Sequence, residues 1–157
     1  MSLELTEKAI ACLTHDEKNI KGFFGEYRWL SNFYKCIVAF DSKFYPSSEN
    51  GYQAAKTLDH ELREHFQEIT PFQSKKESHK LNIRENWDEI RYDIMSSLVF
   101  DKFYRNQELR EKLLATGDKY LEETNYWDDT YWGVCNGVGE NNLGKILMKV
   151  RDYWREK

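Results

Sequence analysis

The apolar and polar positions of this chain change period several times, and one stretch organises the rest. From Phe44 to Lys56, FYPSSENGYQAAK reads as a strand end, a proline stop and the first turns of a helix. Pro46 has no backbone N–H and a fixed φ, which suits a place just before or at a helix start. Ser47 or Ser48 is positioned to cap the open N–H groups of the first turn. Glu49, Tyr52, Gln53 and Lys56 then recur at i, i+3, i+4 and i+7, one stripe of a helix. Gly51, Ala54, Ala55 and Leu58 fill the opposite side, which is predicted to be the buried one. A carboxylate, a phenol, an amide and an ammonium are left facing something. That face is either a recognition surface or a solvated one whose Glu49 complements the helix dipole.

The flanking patterns predict the other elements. LELTEKAIACL, Leu3 to Leu13, suggests a short edge helix with Leu5, Ile10 and Leu13 near one side. Lys21 to Tyr45 reads as extended, because GFFGEYRWLSNFY and KCIVAFDSKFY are rich in strand formers, with a turn at Asp41-Ser42. Within it, Trp29 and Phe33 flank Ser31 and Asn32. That grouping suits a planar heterocycle carrying hydroxyls, or equally two core aromatics around a turn. Short helices are expected over Glu61 to Gln67 and from Thr70-Pro71 through Lys80. The longest helix should run from Trp87 to Tyr104 on a stripe of Trp87, Ile90, Ile94, Leu98 and Val99, with Met95 beside it. Arg91 lies inside that stripe, so it must be paired or face a cavity. It is a candidate phosphate or carboxylate contact, or half of a structural salt bridge, for instance to Glu49.

Asn106 is placed to cap a helix reaching Ala115, ended by Gly117 in the left-handed region. Lys119 to Glu123 reads as a strand. NYWDDTYWGVCNG is irregular and carries Asp129, Trp132 and Gly133 in a loop. The closing helix is capped by Asn141 or Asn142, with a stripe of Leu143, Ile146, Leu147, Val150, Tyr153 and Trp154. Gly137 and Gly139 precede it, which leaves its N-terminal N–H groups open to an anion.

Composition narrows the classes. With 157 residues the chain fits one domain with a proper core, and 15% aromatic residues argue against disorder. No apolar run is long enough to span a membrane and no leader opens the chain, so a soluble, cytoplasmic protein is expected. Three cysteines without CxxC spacing argue for a reducing compartment and no disulfide framework. A net charge of −4 argues against non-specific nucleic-acid binding as the main task. The one basic concentration, Lys75, Lys76, Lys80 and Arg84, is either a solvated face or a phosphate-binding rim. Neither a metal-ligand pattern nor a nucleophile elbow nor a P-loop is present. Any chemistry must run on carboxylates, amines and hydrogen bonds.

GEYRWLSNFY, FYPSSENGYQAAK, NWDEIRYDIMSSLVFDKF, LLATGDKYLEET and DDTYWGVCNGVGENNLGKILMKVR stand in the order seen in one family. The chain resembles the NADAR family, named for NAD and ADP-ribose association, which includes the YbiA-like N-glycosidases. The resemblance runs from about Gly22 to Arg151. Where members carry Gly-Arg before the long helix, this chain has Ser78-His79. The resemblance implies an α+β, mostly helical, single compact YbiA-like domain over residues 1–157, with a few short strands. It also implies an N-glycosidase; no cofactor is expected, and the missing ligand pattern predicts that activity needs no metal. Known members act on amino-pyrimidine ribose phosphates of early riboflavin synthesis, or remove ADP-ribose from guanine in nucleic acid.

Hydrolysis of an N-glycosidic bond builds positive charge on the sugar, which a carboxylate stabilises while activating water. Glu49 matches the family's carboxylate on the central helix. Glu26 and Asp129 are the other matched acids, able to orient a ribose hydroxyl or assist the leaving base. Lys56, Arg91 and the loop with Asn141 would hold anionic and hydroxyl groups. Trp29, Tyr52 and Trp132 would sandwich the base or ribose, and Ser31, Asn32, Phe33 and Gly133 complete the implied binding set. The rival readings are a non-catalytic module that binds ADP-ribose or a related nucleotide, and an interaction protein using its aromatic surface. The true substrate and the oligomeric state stay open.

Overall fold

The structure is a computed structural model that describes residues 5–157. In chain order its elements are α1 (Glu7–Ala11), β1 (Thr14–His15), β2 (Asn19–Lys21), a 3-10 helix (Gly25–Leu30), β3 (Val38–Phe40), β4 (Lys43–Tyr45), α2 (Ser48–Ala54), α3 (His60–Glu68), α4 (Pro71–Ser78), α5 (Trp87–Arg105), α6 (Gln107–Ala115), β5 (Tyr120–Glu122), β6 (Thr124–Asn125), β7 (Val134–Cys135) and α7 (Asn142–Arg155). This is an α+β chain in which helices dominate and strands are two or three residues long. Two compact units are distinguishable. One is Asn32–Gln107; the other joins the chain before Asn32 to Glu108–Lys157.

The first unit is built around α2. Residues 40 and 43 pair across β3 and β4, so Asp41 and Ser42 form a two-residue hairpin loop. Both have positive φ, 48° and 65°, the geometry that matches strand twist in a tight hairpin. Ser47 is the cap of α2, its hydroxyl accepting from the Asn50 N–H at 3.0 Å. Asn50 is fully buried and donates to the Phe66 and Ile69 carbonyls at 2.8 and 2.9 Å, which ties the end of α3 to α2. Arg63, also buried, donates to the Thr57 carbonyl and to Asp41. Thr70 and Gln73 form a capping box at the start of α4, with Pro71 in its first turn. On α5, Ile94, Met95, Leu98, Val99 and Phe103 are buried at helical spacing.

In the second unit β2 lies between β1, antiparallel, and β5, parallel. β6 and β7 make a separate parallel pair. Leu143, Ile146, Leu147 and Val150 bury one stripe of α7, and Leu109, Leu113 and Leu121 are likewise sealed from water. Arg151 continues the stripe as a buried cation that donates to Thr116 Oγ1 and the Lys119 carbonyl. Gly144 sits in the first turn of α7 against β5. A Cβ there would lie 2.1 Å from the Leu121 carbonyl oxygen.

Several sequence expectations are corrected. Gly22 to Leu30 is not a strand. Gly25 takes φ +62°, which breaks the extended run, and Trp29 and Leu30 are buried from a 3-10 turn. Aromatic content signalled burial here, and strand propensity followed burial only where a partner strand existed. The first helix is shorter than its pattern, α1 with Thr6 as cap, and Leu3 and Glu4 lie outside the described residues. Leu58 is 64% exposed although its pattern assigned it to the buried side, because the helix ends before it. Asn106 does not cap forward; its amide donates back to the Ile37 and Lys102 carbonyls. Tyr153 is exposed on the last turn of α7. The three cysteines are free thiols, and among the described residues no helix is long and apolar enough to cross a membrane.

The closeness of α7 to β5 is open to test. Gly144→Ala should lose about 2 kcal/mol of stability, because the backbone must separate to admit a methyl group. Chemical denaturation should show a lower midpoint with an unchanged slope, and an unchanged midpoint would contradict the packing described.

Candidate active site

In the first unit, α2 has no solvated face. Glu49, Tyr52 and Gln53 are 6%, 6% and 4% exposed, as closed to water as Gly51, Ala54 and Ala55 on the other side. The helix is enclosed by α3, α4, α5 and the hairpin. Glu49 therefore carries a carboxylate into a place where it must be compensated. Its backbone N–H donates to the Asn32 carbonyl at 3.0 Å. Its Oε1 accepts from Gln53 Nε2 at 2.6 Å, a short charge-assisted bond. Asn32 is buried with it and donates to the Met95 sulfur.

Lys56 lies two residues past the end of α2, in the turn that follows. The Arg84 N–H donates to its carbonyl at 2.9 Å, fixing that turn against the lead into α5. Its ammonium stands 5.5 Å from the Tyr52 ring centre and 5.9 Å from that of Trp87, and those rings lie 5.1 Å apart. Burial holds the Lys56 pKa below the usual lysine value. Glu49 opposes that shift, and Lys75 and Arg91 reinforce it. One carboxylate and three cations thus feel one another. Lys75 also stands 5.7 Å from the ring of Phe33, which stacks on Phe72 at 5.0 Å. Arg91 is half-buried, with its Nε 3.9 Å from Asp88 Oδ1. Arg91 and Glu49 both act on the Lys56 ammonium, so the two lie in one electrostatic neighbourhood. Such a set can hold an anion, flank a flat group, and keep a carboxylate in place.

The remaining sequence candidates belong to the second unit. Asp129 accepts from the Tyr131 and Trp132 N–H groups at 3.2 and 2.9 Å, and Asn125 bonds its backbone on both sides. It therefore sets the turn that carries Trp132. Gly133 is buried where a Cβ would come within 2.0 Å of the Glu123 carbonyl oxygen. Asn141 has φ 54° and an enclosed side chain that accepts from the Glu123 N–H and donates to the Leu121 carbonyl and Tyr120 Oη. It precedes α7 but caps it with no side-chain bond. The anion site expected at the start of α7 is filled from within. Asn141, Asn142 and Leu143 donate their N–H groups to the Gly133, Tyr131 and Trp132 carbonyls. Trp29 and Ser31 are buried at the end of the 3-10 helix, with the Lys112 ammonium 6.0 Å from the Trp29 ring centre, while Glu26 is exposed.

Of this cluster, the sequence offers Lys75 as part of a solvated face or a phosphate-binding rim, shows Gln53 on the polar stripe of α2 without a role of its own, and puts Trp87 on an apolar stripe. The i, i+4 spacing of Glu49 and Gln53 was the available signal. The lowered Lys56 pKa has a consequence for stability. Burial makes the folded state disfavour the charged form of this ammonium. The penalty is complete below the folded pKa and vanishes as pH rises from there to the unfolded value. Lys56→Met should therefore melt at a higher temperature than the parent at pH 7, with the gap narrowing towards the usual lysine range. Melting curves across pH decide it, and a variant less stable at pH 7 would contradict the burial argument.

The sequence profile of the NADAR domain matches residues 19–155. The N-glycosidase YbiA of Shigella boydii is 35% identical over 132 residues, 81% of this chain and 81% of that protein. A riboflavin biosynthesis protein of Vibrio vulnificus is 38% identical over 133 residues, 82% of this chain; that match spans 36% of the longer relative. The NMR structure of Escherichia coli YbiA superimposes with a TM-score of 0.78 at 28% identity, over 99% of this chain and 94% of that one. The profile and the relatives agree, and the chain belongs to the NADAR family.

Proposed function

We infer that this chain is an N-glycosidase, a hydrolase that splits the bond between a ribosyl group and a nitrogen base. The observation that carries this reading is the enclosed Glu49 carboxylate, held by Gln53 and set among Lys56, Lys75 and Arg91. The names of the relatives support it. In the proposed reaction the C–N bond breaks as the base nitrogen takes the electron pair, and the sugar ring gains positive charge. Glu49 stabilises that charge and accepts a proton from water, whose oxygen bonds the anomeric carbon. The base leaves after gaining a proton. Lys56, Lys75 and Arg91 hold the sugar phosphate, Tyr52, Trp87 and Phe33 flank the ring systems, and Asn32 keeps the turn beside Glu49. The proposed substrates are an amino-pyrimidine ribose phosphate of the early riboflavin route or an ADP-ribosylated guanine.

Glu49→Gln preserves shape and removes the charge. The variant should fold and bind ribose phosphate or ADP-ribose within about tenfold of the parent, yet release base at least about 100-fold more slowly. Base release is measured from a ribosylamino-pyrimidine phosphate and from ADP-ribosylated guanosine, with affinity in parallel. Unchanged turnover would remove Glu49 from the chemistry. Firm binding without turnover by the parent chain on either compound would favour a non-catalytic binding module.

A further inference from the structure

We propose that Gln53 recognises the ribose 2-hydroxyl, its amide nitrogen holding Glu49 while its amide oxygen accepts from the sugar. The proposal rests on the N-glycosidase reading above, since it takes Glu49 as the group beside the anomeric carbon. A carboxylate only accepts hydrogen bonds, so it selects the nitrogen end of a neighbouring amide and turns the oxygen away. Gln53 obeys this: Nε2 donates to Glu49 Oε1 at 2.6 Å. The oxygen so displaced, Oε1, is shut off from water and has no hydrogen-bond partner. The whole residue is 4% exposed. A buried amide acceptor left unpaired is costly, and folded proteins rarely keep one without a use. A donor that arrives with the ligand answers the deficit.

The chemistry of the reaction chooses that donor. A carboxylate that activates water works from the face of the sugar opposite the departing base. On a β-ribosyl group the ring hydroxyls lie on that same face, and the donors of the base lie on the other. Of the two hydroxyls, the 2-hydroxyl is attached next to the anomeric carbon, and so stands nearest to a group already touching Glu49. An acceptor there leaves electron density on the 2-oxygen beside the carbon that becomes cationic, which makes the contact stronger as the bond breaks. Gln53 then links sugar identity to the placement of the carboxylate.

Calorimetric binding of ribose 5-phosphate and 2-deoxyribose 5-phosphate tests the proposal. The proteins are the parent chain, Gln53→Met and Gln53→Asn, with melting curves to confirm folding. Met removes both amide functions, and Asn keeps them one methylene too short to bridge. The parent should prefer ribose 5-phosphate roughly tenfold, since a site built to pair a hydroxyl rejects the analogue that lacks it. Both variants should bind the two sugars within about twofold of each other. Equal affinities in the parent, or a folded variant that keeps the tenfold preference, would overturn the proposal. Base release by the parent separates the two claims. Release without sugar discrimination refutes the role of Gln53 alone. Discrimination without release upholds that role and refutes the hydrolase reading.

Discussion

A charge withdrawn from water dominates the first unit. Glu49 stands in the first turn of α2, where the helix dipole favours an anion, but the dipole alone does not offset the loss of hydration. The surroundings supply the balance: the Gln53 amide at 2.6 Å and the field of Lys56. Those partners are themselves constrained. Gln53 reaches Glu49 because the two are one helical turn apart, and Lys56 is held where Arg84 grips its carbonyl. Removing the carboxylate would leave an amide donor and a half-buried ammonium without their counterpart. The electrostatics of the cluster and the path of the chain around α2 are thus one arrangement.

That arrangement is poorly suited to stability and well suited to catalysis. Burial, with Lys75 and Arg91 nearby, lowers the Lys56 pKa against the pull of Glu49, so the fold disfavours the charge there. Proteins retain such costs chiefly where a ligand or a transition state reclaims them. A sugar that becomes cationic beside Glu49, carrying a phosphate for Lys56, Lys75 and Arg91, meets both requirements. The paired rings nearby, Tyr52 with Trp87 and Phe33 with Phe72, add apolar surface beside these charges, and a lower local dielectric strengthens charge contacts.

The second unit solves a different problem, that of irregular backbone packed partly against the fold. Outside the short β6–β7 pair, the chain between β6 and α7 is irregular, and many of its polar groups are satisfied individually. Asn125 and Asp129 bond the chain between them, Asn141 bonds β5 and the residue after it, and the first N–H groups of α7 close on the carbonyls of Tyr131, Trp132 and Gly133. Gly133 and Gly144 permit the approach, each with a carbonyl oxygen where a Cβ would stand. Residues that resembled ligands in the sequence here hold the fold itself. A short polar side chain can cap a backbone group as readily as a substrate, and the residue type does not say which.

The sequence by itself determined what depends on neighbours a few residues away. The cap at Ser47, the hairpin at Asp41-Ser42, the capping box at Thr70 and the apolar stripes of α5 and α7 follow from local geometry and period, and each is where its residues place it. The same locality set Glu49 and Gln53 on one stripe. Tertiary structure decided everything that depends on what lies opposite. It turned the aromatic run after Gly25 into a 3-10 helix because no strand pairs with it. It made the polar stripe of α2 an interior surface and not a wet one. It brought Lys75 from α4, and Trp87 and Arg91 from α5, to the neighbourhood of Lys56. Period reports which residues share a face, but burial and pairing are properties of two surfaces. Only the folded chain supplies the second.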